Sequence, residues 1–221
     1  MEEPRIAVVT GASGGVGLAT TQLLAAVGYT VYAQYRTEPA EVPLGEVNWW
    51  QADLTEENFA YPSDLGHVDV LVHCAGMCEL GATADIDPQA WRDHFELNVV
   101  APATLTNALL PALRAAQGMV IYVNSGAGQR THAGWGAYSA SKFAARAWAD
   151  ALRQEEKDLR VSSIYPGRIA TAMQEEIRKQ EGGEYDPSQY LRAETVASHI
   201  LGIISTASDA VVEDLSIRPN A

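Results

Sequence analysis

Short β-branched runs alternate with longer Ala- and Leu-rich stretches from one end of this chain to the other. Residues 5–10 (RIAVVT), 30–35 (TVYAQY), 46–51 (EVNWWQ), 69–73 (DVLVH), 119–123 (MVIYV), 160–165 (RVSSIY) and 211–217 have the length and side chains of strands. Residues 18–27, 88–116, 138–157 and 194–205 carry helical patterning between them. Strands that are nearly continuously apolar need both faces covered, and helices alternating with them supply that cover. The chain is therefore read as a doubly wound α/β domain with a parallel sheet. Pro39, Pro43 and Pro62 interrupt the connections between the second and fourth strands, so the helices expected there are abbreviated or missing. Pro88 suits a first helical turn, whereas Pro102 and Pro111 predict kinks or breaks in the helix that follows. No repeat or linker divides the 221 residues, and a single domain spanning residues 1–221 is expected.

Charge narrows the partners. With 28 acidic against 15 basic residues the net charge is −13, which repels nucleic-acid backbones and anionic membranes, so neither is expected as a partner. A phosphorylated small molecule held by a few local groups stays compatible with that field. No apolar run approaches the ~20 residues of a bilayer span, the start (MEEPR) lacks a signal peptide's organisation, and a cytoplasmic location is expected. Cys74 and Cys78 have no His/Cys set at metal-ligand spacing nearby. They are read as small buried apolar side chains rather than a disulfide or metal ligands.

Between the first strand and first helix stands Thr10-Gly11-Ala12-Ser13-Gly14-Gly15-Val16-Gly17. Gly11 permits a tight turn, Gly15 lets backbone approach a pyrophosphate, and Gly17 lets helix and strand pack closely. The helix N-terminus then offers free N–H groups and partial positive charge, with Ser13 and Val16 inside the same loop. This strand–loop–helix context marks a dinucleotide site. The second strand ends at Tyr35-Arg36, with tyrosine where an acid would accept from the adenosine ribose of NAD. The Arg36 guanidinium suits a 2′-phosphate instead, so NADP(H) is the preferred cofactor and NAD(H) remains possible.

Tyr138-Ser139-Ala140-Ser141-Lys142 opens a helix, and i, i+4 spacing places the phenol and the ammonium on one face. At ~6 Å and an effective dielectric of ~20 their interaction is roughly 2.8 kcal/mol, or about 2 pKa units. That predicts a phenol lowered from ~10 toward ~8.

Thr10-Gly11-x-x-x-Gly15-x-Gly17, Asn98, Ser125, Tyr138-x-x-x-Lys142 and Pro166-Gly167 stand in the order seen in the short-chain dehydrogenase/reductase family, which this chain resembles from Arg5 to about Pro219. The resemblance implies a Rossmann-like, seven-stranded parallel sheet of order 3-2-1-4-5-6-7 with helices on both faces. It implies that Tyr138 is the acid/base of hydride transfer between nicotinamide and a carbonyl/alcohol substrate. By the same resemblance Lys142 binds the nicotinamide ribose and lowers the tyrosine pKa, Ser125 polarises the substrate oxygen, and Asn98 holds a water in the proton relay to the lysine. Asp53-Leu54 corresponds to the pair against the adenine, Ala75-Gly76 to the backbone against the ribose, and Pro166-Gly167-Arg168-Ile169-Ala170-Thr171 to the carboxamide anchor, with Ile169 and Thr171 in contact. One departure is His73-Cys74 where the family has two asparagines that tie neighbouring strands. His73 is read as a structural histidine taking over part of that bonding.

Substrate choice in the family rests on three loops, here residues 77–84, 126–136 and 172–190, the last part of a short insertion at about 172–192 with a lid-like Met173/Ile177 pair. None identifies the substrate; Arg130 is read as a solvated loop arginine rather than an anion contact. The family habit of pairing its long helices, here residues 88–116 and 138–157, implies a homodimer or homotetramer. The alternative function is a non-catalytic NADP(H)-sensing regulatory module, which would have no need for Ser125, Tyr138, Lys142 and Asn98 together. A sugar-nucleotide epimerase would need a further substrate domain for which this chain is too short.

Overall fold

The computed structural model describes residues 4–220. Seven strands, β1 (Ile6–Thr10), β2 (Thr30–Tyr35), β3 (Glu46–Gln51), β4 (Val70–His73), β5 (Met119–Val123), β6 (Arg160–Pro166) and β7 (Asp214–Ile217), form one sheet. All pairs are parallel and the order is β3-β2-β1-β4-β5-β6-β7, the order implied by the sequence resemblance. The helices are α1 (Gly15–Ala26), α2 (Pro88–Phe95), α3 (Ala101–Ala116), α4 (Gly136–Glu155), α5 (Ala172–Gln180) and α6 (Ala193–Ile204). No helix forms among residues 36–45 or 52–69, as the prolines there predict. The last strand is shorter than its β-branched run: Val211, Val212 and Glu213 precede it, although the Glu213 carbonyl still accepts from the Ser163 N–H (2.8 Å).

Strand alternation sends side chains to two separate cores. On one face Ala7, Val9, Val31, Val72 and Ile121 pack against Leu24 of α1 and Val196 and Ile200 of α6. On the other, Val8, Leu71, Val120 and Val161 meet Leu105, Leu109 and Leu113 of α3 and Ala149 and Leu152 of α4. Burying a leucine of this kind contributes on the order of 1.5–3 kcal/mol. These residues fix the register of α3 and α4 against the sheet, and so the placement of every side chain on the site-facing side of those helices.

The break expected in the fourth-connection helix takes the form of a π turn. α2 and α3 are continuous through Glu96–Val100, which is wound as a π-helix, and Pro102 follows directly. The ladder is stretched there, the Ala101 N–H reaching back five residues to the Glu96 carbonyl, and Pro102 has no N–H with which to continue it. Pro111 lies on the exposed side of α3, where water can satisfy the carbonyl it frees. The composite helix Pro88–Ala116 is long and apolar enough, by length and composition, to cross a membrane, contrary to the sequence expectation. Its Leu105, Leu109 and Leu113 are buried against the sheet, as in the core helix of a folded domain.

The chain leaves β1 toward β2 and returns to β4 on the other side of β1, so the connections diverge at the C-terminal ends of β1 and β4. A crevice opens there by topology alone.

Candidate active site

The glycine loop is held from three directions. Gly11 has φ +61°, and a Cβ there would lie 2.8 Å from the Ala75 nitrogen, so only glycine allows the β1 and β4 loops to meet. Thr10 Oγ1 accepts from the N–H groups of Cys74 (3.1 Å) and Ala75 (3.2 Å). Gln34, buried on β2, accepts from the Gly11 N–H at Oε1 (2.7 Å) and donates from Nε2 to the Ala52 carbonyl (2.7 Å). Gln34 was not apparent as a site residue; its only signal is a polar side chain within an apolar parallel strand. The N-terminus of α1, with Gly14 as its N-cap, has no side-chain cap, leaving its first N–H groups facing the crevice.

The chemistry-bearing side chains converge from β5 and α4. Ser125 ends β5's extension, and its Oγ accepts from the Ala127 N–H (3.1 Å), with Asn124 Oδ1 accepting from the Ser125 N–H (2.7 Å). Asn124 Nδ2 donates to the Lys142 carbonyl (3.1 Å), which ties that strand end to α4. Tyr138 is 8% exposed and its ring meets those of Trp135 and His94 edge-on at 5.8 and 6.0 Å. Lys142 Nζ lies 5.9 Å from the Tyr138 ring centroid and donates to Tyr122 Oη (3.0 Å) and the Val123 carbonyl (3.3 Å). Tyr122 Oη in turn donates to the Asn98 main-chain oxygen (2.6 Å). The Asn98 side chain is fully buried, bonding Met77 N–H (3.1 Å), Met77 O (3.2 Å) and Ser141 Oγ (2.9 Å).

The titration expected for Tyr138 is overturned. Burial raises its pKa above the ordinary phenol value, against a smaller lowering by the Ser125 hydroxyl. Helical spacing sets neither the desolvation of the phenol nor the direction of the ammonium, which is turned toward Tyr122 and Val123. Desolvation falls on Lys142 as well, bringing it down to about 8. His73 is structural, as read, but its partner differs: Nε2 meets Thr106 Oγ1 of α3 at 2.8 Å rather than a neighbouring strand. Full burial holds the ring neutral, with its pKa down to about 3. Cys74 and Cys78 are free thiols, each partly accessible as a residue, with the sulfur itself packed closely enough that burial dominates its titration.

A cavity of about 590 Å³ runs along this edge, lined by Gly11, Gly15, Val16, Gly17, Ala75, Gly76, Ser125, Tyr138, Lys142, Pro166, Gly167, Ile169 and Thr171. Ser13, Arg36, Asp53, Leu54 and Asn98 are outside its wall. Arg36 is exposed at the end of β2 and makes no ion pair among the described residues; Asp53 Oδ1 is engaged by Thr55 N–H (3.0 Å) and Oγ1 (2.7 Å); Leu54 is buried in the core. Asn98 sits behind Gly76, where a Cβ would come within 3.0 Å of its Oδ1. The third loop folds as α5, N-capped by Thr171 Oγ1. Arg168 and Arg178 both clamp Glu181, holding its carboxyl below the usual range, and Gln180 Oε1 accepts from the Leu80 N–H (2.8 Å).

The family model for short chain dehydrogenase matches residues 5–182. The chain is 34% identical over 189 residues to the uncharacterized oxidoreductase YciK of Escherichia coli K12, covering 76% of this chain and 75% of that protein. It is 31% identical over 238 residues to glycine betaine reductase ATRR of Emericella nidulans, a match to 97% of this chain but only 19% of that far longer protein. A solved short chain dehydrogenase from Escherichia coli CFT073 complexed with NADPH superimposes with a TM-score of 0.84 at 28% identity, over 98% of this chain and 97% of that one. With motif order, sheet order and family match agreeing, the chain belongs to the short-chain dehydrogenase/reductase family of NAD(P)-dependent oxidoreductases.

Proposed function

We propose that this protein interconverts a carbonyl and an alcohol with NADP(H) as hydride carrier and Tyr138 as acid/base. The carrying observation is a single cavity lined at one end by the glycine loop and the free N–H groups of α1 and at the other by Ser125, Tyr138 and Lys142. These groups fit a dinucleotide: Gly15 and Val16 offer backbone donors to the pyrophosphate, Ala75 and Gly76 flank the ribose, and Pro166, Gly167, Ile169 and Thr171 line the nicotinamide end. Arg36, exposed at the end of β2 and without an ion-pair partner among the described residues, supports the NADP(H) preference. So do the relatives solved with NADP(H) at 28% identity.

NADPH, held by these residues, would supply the hydride. Tyr138 Oη gives its proton to the substrate oxygen, and its raised pKa keeps that proton in place until the oxygen gains charge. Ser125 Oγ donates to the same oxygen and stabilises the developing alkoxide. The Lys142 ammonium stabilises the phenolate left behind, and Asn98 braces the site through Met77 and Ser141. No carboxylate stands among the described lining residues; Arg168 is already paired with Glu181 and Arg130 is an exposed loop residue, so Arg218, bonded to main-chain carbonyls and Gln129 but to no carboxylate, is the cation that supports carbonyl substrates bearing an anionic group. Exposed Val100 and Phe143, on neighbouring helical surfaces, support the expected pairing of copies.

The test follows NADPH absorbance across carbonyl compounds with and without a carboxylate, with Tyr138→Phe in parallel. Turnover by the native protein that disappears in the variant, with NADPH binding retained, supports the reading. Undiminished turnover in the variant refutes it.

A further inference from the structure

Three sequence positions far apart, Asn98, Tyr122 and Lys142, build one hydrogen-bond chain. Tyr122 Oη donates to the Asn98 carbonyl at 2.6 Å, and Lys142 Nζ donates to the same Tyr122 oxygen at 3.0 Å. Tyr122 is 1% exposed and its ring is fixed by His73 and Trp148 at 6.3 and 5.9 Å. The hydroxyl therefore has one arrangement: its proton belongs to the Asn98 oxygen and its lone pair faces the ammonium.

We propose that Tyr122 is a positioning residue that anchors the Lys142 ammonium and ends its hydrogen-bond chain at the Asn98 carbonyl. This rests on the reductase reading for its catalytic meaning, though not for its geometry. A carbonyl oxygen accepts but has no proton to pass on, so the Tyr122 branch of the chain ends there. The groups facing Lys142 leave the phenol as its principal anchor. Cys74 and Cys78, from β4's end and the following loop, have thiols pushed up to about 12 by burial and are neutral. His94 on α2 is lowered by burial and neutral at alkaline pH, and Tyr138 on α4 is raised and protonated. No carboxylate pairs with the ammonium among the described residues, and the remaining acceptor, the Val123 carbonyl, is longer at 3.3 Å. Phenylalanine would keep the ring packing and lose only the anchor.

The test is Tyr122→Phe, read by NMR titration of the Lys142 Nζ in the isotopically labelled protein and by the pH profile of kcat. Losing an acceptor disfavours the ammonium, so the Lys142 midpoint is expected to fall from about 8 by roughly one pH unit. The alkaline limb of kcat moves with it, while kcat well below that midpoint changes by less than about threefold. An unchanged Lys142 titration in the folded variant overturns the proposal, as does a uniform loss of kcat at every pH. If the native protein turns over no carbonyl substrate, the reductase reading fails, and the NMR midpoint still decides the role of Tyr122. Should Tyr122→Phe not fold, Tyr122→Met fills the space with an adaptable apolar side chain and likewise lacks the hydroxyl. A lowered midpoint there supports the anchor, and an unmoved one refutes it.

Discussion

Gln34 offers the most direct link between a strand residue and cofactor affinity. It is 3% exposed and spends its amide on two main-chain groups, the Gly11 N–H and the Ala52 C=O, both at 2.7 Å. Replacing it with leucine strands both partners. A buried main-chain group left without a partner costs about 1–3 kcal/mol, and Gly11, being partly accessible, is discounted toward the lower end because water can reach it. The sum is about 3 kcal/mol. For a chain of this size each kcal/mol lowers Tm by about 2–4 °C, so thermal unfolding is expected to drop by about 6–12 °C. The Gly11 turn also loses its brace, so NADPH affinity, read by fluorescence titration, is expected to weaken about tenfold as the loop pays for ordering on binding. Gln34→Glu separates the two contacts, since its carboxylate still accepts from Gly11 but cannot donate to Ala52. It should retain more NADPH affinity than the leucine variant at a comparable loss of Tm. A leucine variant with Tm within about 2 °C of native and unaltered NADPH binding would refute the reasoning.

Arg36→Ala is expected to weaken NADPH binding by about 10–100-fold with little change for NADH, measured as paired dissociation constants. His73 titrates near 6.5 when unfolded and near 3 when folded. The unfolded chain therefore binds the extra proton between those values, and stability is full above pH 6.5 and falls as pH drops toward 3, by up to about 1.4 kcal/mol per pH unit. His73→Asn should flatten that acid limb in chemical denaturation at stepped pH. Gly17→Ala would place a Cβ into the Gly11 carbonyl, and is expected to abolish NADPH binding or folding, separable by circular dichroism. Glu181→Gln removes the carboxylate shared by Arg168 and Arg178 and should raise proteolytic cleavage near α5, with NADPH affinity less affected than substrate KM.

The strand pattern was readable because strands buried on both faces have little choice of residue: the residues assigned to β2, β3 and β5 from sequence are those that pair. The glycine loop was readable for the same reason, since contact between two backbones excludes any side chain. Tyr122 and Gln34 were not, because a polar residue in a strand looks the same whether it faces water or braces a loop many residues away. The tyrosine–lysine spacing located both groups correctly but gave the wrong direction for the Tyr138 pKa, because spacing along a helix carries no information about desolvation or about what else the ammonium touches. The π turn escaped notice because Pro102 signals a lost hydrogen bond, and only the surrounding packing decides how the helix absorbs it.

The bare connections on either side of β3 shape how the molecule breathes. β3 is an edge strand that pairs only with β2, no helix covers it from residues 36–45 or 52–69, and its residues are exposed or half-buried throughout. Its amides are therefore expected to exchange with solvent at lower opening free energy than those of β1, β4 and β5, which are sealed between two helical layers. Arg36 and Asp53 sit at the borders of this thinly covered region. A ligand gripping them would slow exchange in β3 far from the reacting carbon, so deuterium uptake there would serve as a local gauge of adenosine-end occupancy that needs no turnover at all.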